Sequence, residues 1–341
     1  MRAAELFAGA GVLSLCSGIG GLELGIEQAT GARTICQVER DPFARAILAR
    51  HWPGVKRMND VRDVDSTFRG VADIVCGGFP CQPHSLAGSR KAGDDDRDLW
   101  PEMARIMREV QPKAAIFENV PGLLTSRTDP KNDATKGHFF LRILRDLEAA
   151  GYMVRWDCCP ASAVGALHRR DRVFIVATRG PAGWPAMSML PIAPESMWGH
   201  PQPLEWPRAG AWSGGAAYQA PARWPDLGAS PWPTLSSRDW KSGKHGAITE
   251  ARNNSRPLNE VAWKEAGKPS DTPHLCPVWC ESLMGFPHGW TEPEGESLHD
   301  APPPPSLIGP HLVAVRSVDR IRTLGNAVVS QVARTVAEAM L

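Results

Sequence analysis

Val12-Leu13-Ser14-Leu15-Cys16-Ser17-Gly18-Ile19-Gly20-Gly21, continuing as Leu22-Glu23-Leu24-Gly25-Ile26-Glu27-Gln28, reads as a strand, a glycine-rich turn and a helix in immediate succession. Such a unit makes a nucleotide-sized cradle, because glycines let backbone approach a ligand and the free N–H groups at the helix start point at it. The dinucleotide fingerprint needs a small third residue, whereas counting Gly18-x-Gly20-x-x lands on Glu23. A pyrophosphate would meet a carboxylate there. NAD and FAD are therefore disfavoured, and a cationic ligand without phosphates suits Glu23 better.

Moving outward, Thr34-Ile35-Cys36-Gln37-Val38 predicts a second strand ending at Glu39, with Asp41 and Pro42 just beyond. An acid at that strand end, roughly 20 residues after the glycine turn, is placed to accept hydrogen bonds from ribose hydroxyls. Asp41 before Pro42 also reads as a helix N-cap, and both readings can hold together. The turn Asn59-Asp60-Val61 could reach an adenine edge.

Val71-Ala72-Asp73-Ile74-Val75-Cys76 predicts a buried strand that stops at Gly77-Gly78-Phe79-Pro80-Cys81-Gln82-Pro83-His84-Ser85-Leu86-Ala87-Gly88. A thiol thus stands where a strand gives way to a loop, behind two glycines and a stiffening proline. The residues around Cys81 favour a nucleophile over an inert core cysteine. After a helix from Leu99 to Met107, Lys113-Ala114-Ala115-Ile116-Phe117 predicts a strand delivering Glu118-Asn119-Val120 to the sheet edge that carries Cys81. A carboxyl at a strand end is a reacting group or a cap for the turn at Pro121-Gly122. A helix from Leu141 to Ala149 and a strand over Trp156–Cys159 follow. His168-Arg169-Arg170-Asp171-Arg172 then leads into the strand Val173–Ala177. Arginines alternating at a strand start would face one side and grip a carboxylate or phosphate; an exposed basic turn is the alternative.

With 341 residues the chain can hold a large domain and a smaller lobe. A formal net charge of +1 excludes global attraction to polyanions, so any nucleic-acid contact must come from local patches. The eight cysteines lack a paired zinc spacing, Cys276-x-x-x-Cys280 standing alone, and no apolar leader is visible. A reducing compartment and no metal are expected. No apolar run nears the ~18 residues of a membrane span, so a soluble protein is expected.

From 180 to 275 the periodicity fades and Pro, Gly and Trp recur (Trp184, Trp198, Trp206, Trp212, Trp224, Trp232, Trp240), predicting a loop-rich lobe rather than more sheet. Its one locally basic stretch runs from Pro233 through Arg238, Lys241 and Lys244 to His245, extending to Arg256. Arg, Lys and Asn there suit phosphates and base edges. Ala301-Pro302-Pro303-Pro304-Pro305 reads as a surface spacer before a last helix from Val328 to Met340.

In order, Ser17-Gly18-Ile19-Gly20-Gly21, Glu39, Asp60, Pro80-Cys81-Gln82, Glu118-Asn119-Val120, Arg170-x-Arg172 and Leu324-Gly325-Asn326-Ala327-Val328 resemble the DNA cytosine-C5 methyltransferase family over residues 12–178 and 276–341. The resemblance implies an α/β fold, a Rossmann-like S-adenosylmethionine-dependent methyltransferase with a mixed, mostly parallel sheet and a small loop-rich target-recognition domain. The implied division is 1–180 catalytic, 181–275 target recognition and 276–341 a return to the catalytic domain. Cofactor contacts are implied for Cys16, Ser17, Gly18, Ile19, Gly20, Gly21, Glu39, Asp60, Val61, Pro80, Leu99, Asn326 and Ala327. Catalysis falls to Cys81, Glu118, Arg170 and Arg172. DNA contacts fall to Gln82, Ser85, Thr234, Leu235, Arg238, Lys241 and Lys244, with Thr234-Leu235 resembling the family dipeptide ahead of its reading loop. Leu275–Pro287 resembles the segment that supports the recognition lobe. The implied setting is a monomer acting on double-stranded DNA in the cytoplasm of a bacterial or phage-infected cell. A cognate restriction endonuclease would be its partner if it is half of a restriction–modification system.

Three positions depart from the family pattern. Cys16 stands where Phe is usual, which would remove an aromatic wall from the cofactor site; His168 replaces Gln, and His84 an aromatic. Leu6-Phe7-Ala8-Gly9 imitates the family's first motif but lies too far from Glu39, so the cofactor turn is placed at Gly18–Gly21. The chemistry expected is addition of the Cys81 thiolate to cytosine C6, with Glu118 protonating N3 and Arg170 and Arg172 steadying it, on a base taken out of the duplex. An RNA cytosine methyltransferase and a catalytically silent DNA-binding relative are the rival readings.

Overall fold

The computed structural model describes residues 3–80, 98–128, 133–179, 190–191, 209–213, 216–219, 232–239, 258, 275–292 and 317–341. At its centre is β1 (Gly11–Leu15), buried throughout, as expected for an apolar strand covered on both faces. Beside it lie β2 (Arg33–Val38) on one flank and β4 (Ile74–Gly77) on the other, both parallel to it. β3 (Lys56–Met58) extends the first flank and β5 (Ala114–Asn119) the second, again in parallel. The sheet then reverses: β7 (Asp171–Thr178) runs antiparallel to β5, and β6 (Met153–Pro160) antiparallel to β7. These seven strands form the mixed, mostly parallel sheet that the sequence predicts.

The reversal fixes where chemistry can occur. Because β7 opposes β5, its first residues lie beside the last residues of β5, with Asn119 opposite Val173 and Glu118 opposite Phe174. The edge that receives the ends of β1, β2, β4 and β5 therefore also receives the Arg170–Arg172 entry into β7.

Helices cover both faces, as their apolar stripes require. α2 (Gly21–Thr30), α3 (Pro42–His51) and the C-terminal α8 (Ser330–Met340) pack on one face; α4 (Trp100–Val110) and α5 (His138–Ala149) pack on the other. Asp41 caps α3 as expected, its Oδ1 accepting from Phe43 N at 2.8 Å and Ala44 N at 3.1 Å with Pro42 at the first position. A Cβ on Gly25 would lie 2.5 Å from the Ser330 carbonyl oxygen, so α2 and α8 touch at a distance only glycine permits. On the opposite face the Trp100 indole donates to Asp146 Oδ2 at 2.8 Å and ties α4 to α5. The chain also forms α1 (Ala3–Phe7), α6 (Pro277–Leu283) and α7 (Ser317–Asn326). Among the described residues no helix is long and apolar enough to cross a membrane.

One expectation about the region after 180 is corrected. β8 (Leu190–Pro191), β9 (Ala209–Ser213) and β10 (Ala216–Gln219) continue the sheet, β9 pairing antiparallel with β6, so its edge extends past the seventh strand. Their sequences, AGAWS and AAYQ, carry almost no β-branched residues, and no strand pattern is visible in them. The basic stretch from 240 to 256 and the Pro-rich spacer lie outside the described residues.

Candidate active site

The glycine-rich turn begins where β1 ends. Cys16 has φ 52, Gly18 φ 56 and Gly20 φ 88, so three residues of five take the left-handed conformation and two of them are glycine. Gly18 N donates to Glu39 Oε2 at 2.7 Å, while Asp41 N donates to Glu39 Oε1 at 2.8 Å. Glu39 thus joins the turn after β1 to the end of β2, and burial raises its pKa from the ordinary carboxylate value. Gly18–Gly21 form the turn between β1 and α2, whereas Leu6 and Phe7 belong to α1.

These residues line a cavity of about 660 Å³ along the strand ends. Cys16, Gly18, Glu39, Asp60, Val61, Pro80, Leu99 and Asn326 all border it, as do Glu118, Arg170 and Arg172. Asp60 caps the turn that follows it, accepting from Arg62 N at 3.0 Å; that bond leads the causes that hold its pKa below the usual range. Burial first, then the charges of Glu39 and Asp60, push the Cys16 thiol up to about 12.

Glu118, the fifth residue of β5, faces Arg172 Nε across 2.8 Å. Burial raises its pKa, opposed by the charges of Arg172 and Arg170. A Cβ on Gly78 would sit 3.3 Å from Glu118 Oε2, and Asn119 Nδ2 donates to the Phe79 carbonyl at 2.9 Å. The root of the loop leading to Cys81 is therefore fastened against the acid. Cys81 itself, with Gln82, His84, Ser85, Lys241 and Lys244, lies outside the described residues.

Several expectations are corrected. Arg170 does not share a strand face with Arg172, because φ 34 places it in the left-handed region before β7 begins. It is buried, not an exposed turn, and grips backbone: Nη1 donates to Leu235 O at 2.9 Å, and Nη2 to Gly325 O at 3.1 Å and Ala327 O at 2.7 Å. Burial, then the charge of Arg172, lowers its pKa to about 9. Thr234 Oγ1 accepts from Arg170 N at 3.0 Å and Leu235 is fully buried, so Leu235 serves this clamp rather than a DNA surface. Arg238 is exposed.

Glu23 does not border the cavity. Buried residues of α2 include 22, 23, 26, 29 and 30, a helical face turned to the sheet, and Glu23 is 0% exposed on it. Ser17, Ile19, Gly20, Gly21 and Ala327 support the cavity from behind rather than line it. His168 lies fully buried, its Nε2 2.9 Å from Leu283 O, and burial lowers its pKa to about 4.

Residues missed by sequence reasoning also border the cavity, among them Arg40, Arg62, Arg322 and Thr323; Asn59, read from the sequence in the turn with Asp60 and Val61, borders it too. Arg322 reaches Asp41 at 2.8 Å, a pairing over 281 residues that no local pattern announces.

The family model for C-5 cytosine-specific DNA methylase matches residues 1–206. The Type II methyltransferase M.HgiCII of Herpetosiphon aurantiacus is 37% identical over 178 residues, covering 52% of this chain and 39% of that protein. The Type II methyltransferase M.NgoMIV of Neisseria gonorrhoeae is 36% identical over 168 residues, 49% of this chain and 51% of that one. The chain thus spans about half or less of the length of these relatives. The S. pombe Dnmt2 methyltransferase structure, 15% identical, aligns over 96% of this chain and 97% of its own with a TM-score of 0.57, a likeness of fold.

Proposed function

Because the chain belongs to the C-5 cytosine-specific DNA methylase family, we propose that it moves a methyl group from S-adenosylmethionine to C5 of a cytosine swung out of a specific duplex DNA sequence. The reaction would proceed through a covalent bond between Cys81 and C6. The observation that carries this reading is the buried Glu118, paired with Arg172 at 2.8 Å and set against the root of the Cys81 loop.

The cavity residues fit S-adenosylmethionine. Glu39 and Asp60 offer carboxylates for hydroxyls and an amine, Val61 and Leu99 offer apolar surface for a flat base, and Asn326 adds a side-chain amide to the lining. When bound, S-adenosylmethionine supplies the electrophilic methyl that C5 takes up. The remaining work belongs to the chain. Cys81 as thiolate adds to C6, the C5=C6 electron pair moves toward C5, and Glu118 delivers a proton to N3 so that the ring carries no extra negative charge. A raised pKa suits Glu118 to that task, because it must hold a proton near neutrality. Arg172 fixes one carboxyl oxygen and leaves the other toward Gly78 and the loop. After methylation water removes the C5 proton, C5=C6 re-forms, the thiolate leaves and the N3 proton returns to Glu118. We place duplex DNA as the partner, with the chain acting as a monomer.

The test is transfer of labelled methyl to duplex DNA, with RNA as the parallel substrate. DNA should be labelled, and bisulfite sequencing should show one modified motif. Cys81→Ser should abolish transfer; equal transfer by that variant, or label entering RNA alone, overturns the proposal.

A further inference from the structure

The cofactor turn is held from a distant part of the chain. Gly20 N donates to Ser17 O at 3.0 Å, and the Ile19 carbonyl, on the same peptide unit, accepts from Trp290 Nε1 at 2.9 Å. Both polar atoms of the Ile19–Gly20 peptide are therefore fixed, one locally and one by a residue 271 positions on. The turn needs such a hold, because Gly18 and Gly20 both take left-handed conformations that leave glycine free to move.

Trp290 is itself braced. Its ring stacks on His51 with centroids 3.6 Å apart and planes 7° from parallel, and meets Trp52 edge-on at 5.8 Å. His51 Nε2 donates to the Trp290 carbonyl at 2.8 Å, and Arg50 Nη1 donates to Gly289 O at 3.0 Å and Glu292 O at 2.9 Å. From the other side the buried Glu281 accepts from Gly289 N at 2.7 Å and Thr291 N at 2.8 Å, while pairing with Arg320 at 3.0 Å. Packing alone would be met by any aromatic ring. The indole N–H adds a single directed bond into the turn.

We infer that Trp290 is a positioning residue for the methyl donor: by fixing the Ile19 carbonyl it orients the turn that faces S-adenosylmethionine and sets the donor's affinity. The inference rests on the methyl-transfer reading above. It gives the 288–292 segment, just after the Leu275–Pro287 stretch, a role on the cofactor side.

Trp290→Phe keeps a ring against His51 and removes the donor. Hydrogen exchange of the ligand-free chain should show faster exchange at amides 18–22 than in the parent. Calorimetry with S-adenosylhomocysteine should show affinity weakened about five- to tenfold, the worth of one lost hydrogen bond. The KM for the donor should rise in step, with kcat within about twofold and the KM for DNA unchanged. Unchanged exchange overturns the anchor, and faster exchange with unchanged affinity overturns its effect on the donor. If Trp290→Phe does not fold, Arg50→Met decides: it loosens the 289–292 segment that carries Trp290 and should move both readouts the same way by less, and no movement overturns the inference. Should the parent chain bind no S-adenosylhomocysteine, the donor role and the methyl-transfer reading fall together, whereas the exchange measurement still judges the anchor.

Discussion

Two carboxylate–guanidinium pairs in this molecule have nearly the same length and opposite meanings. Glu281 meets Arg320 at 3.0 Å with side chains 0% and 1% exposed; Glu118 meets Arg172 at 2.8 Å with 12% and 19%. Glu281 is saturated, since Gly289 N, Thr291 N, the Thr291 hydroxyl and Arg320 all donate to it. Glu118 has Arg172 on one oxygen and a cavity before it. A buried charge whose capacity is filled locks elements together, whereas one left partly unfilled at a cavity keeps free energy in reserve for a ligand.

The widest separation between the two pairs should appear in activity. Glu118→Gln keeps the shape and removes the exchangeable proton, so single-turnover methyl transfer should fall on the order of 10²–10⁴-fold, the usual worth of a positioned acid. Thermal unfolding should change little. Transfer within about tenfold of the parent would erase the distinction.

Arg320→Met asks the same question of the other pair. It strands a buried carboxylate, which should cost about 3–5 kcal/mol of folding free energy. Urea unfolding measures it, and Glu281→Gln added to Arg320→Met should recover part of the loss, because the stranded charge is then gone. A loss below about 1 kcal/mol would mean that the pair contributes no more than a surface bridge does.

What the sequence made legible follows the same division between local and distant contacts. The strand, glycine turn and helix at 11–30, Glu39 at the end of β2 and Glu118 at the end of β5 all follow from short-range periodicity and from parallel strands ending on one edge. The Arg170 role was misread because alternation presumes extended backbone, and φ 34 breaks it one residue before β7 starts. Trp290 on Ile19 and Arg322 on Asp41 were invisible for another reason: each joins residues more than 270 apart, and neither end carries a pattern of its own. β8 to β10 escaped because these short strands hold no β-branched residue and much alanine, so no alternating signature stands out.

Glu23 carries the comparison to its limit, as a carboxyl without a partner. It is fully buried, and neither oxygen makes a hydrogen bond among the described residues, although the Ser14 and Ser17 hydroxyls lie near enough to ease its charge slightly. Burial dominates and raises its pKa from 4.5 to about 7. The folded state therefore holds the proton more tightly than the unfolded chain does. Its contribution is intact below pH 4.5, declines as pH rises toward 7, and is gone above that, where folding must bury a bare charge. Glu23→Gln removes the titration. It should leave stability nearly unchanged at pH 4 and raise it by about 3 kcal/mol at pH 8, since each unit of pKa shift is worth about 1.4 kcal/mol. Unfolding free energies of both forms at the two pH values test this. An equal difference at both would show Glu23 charged and compensated, in which case it would belong with Glu281 rather than beyond Glu118.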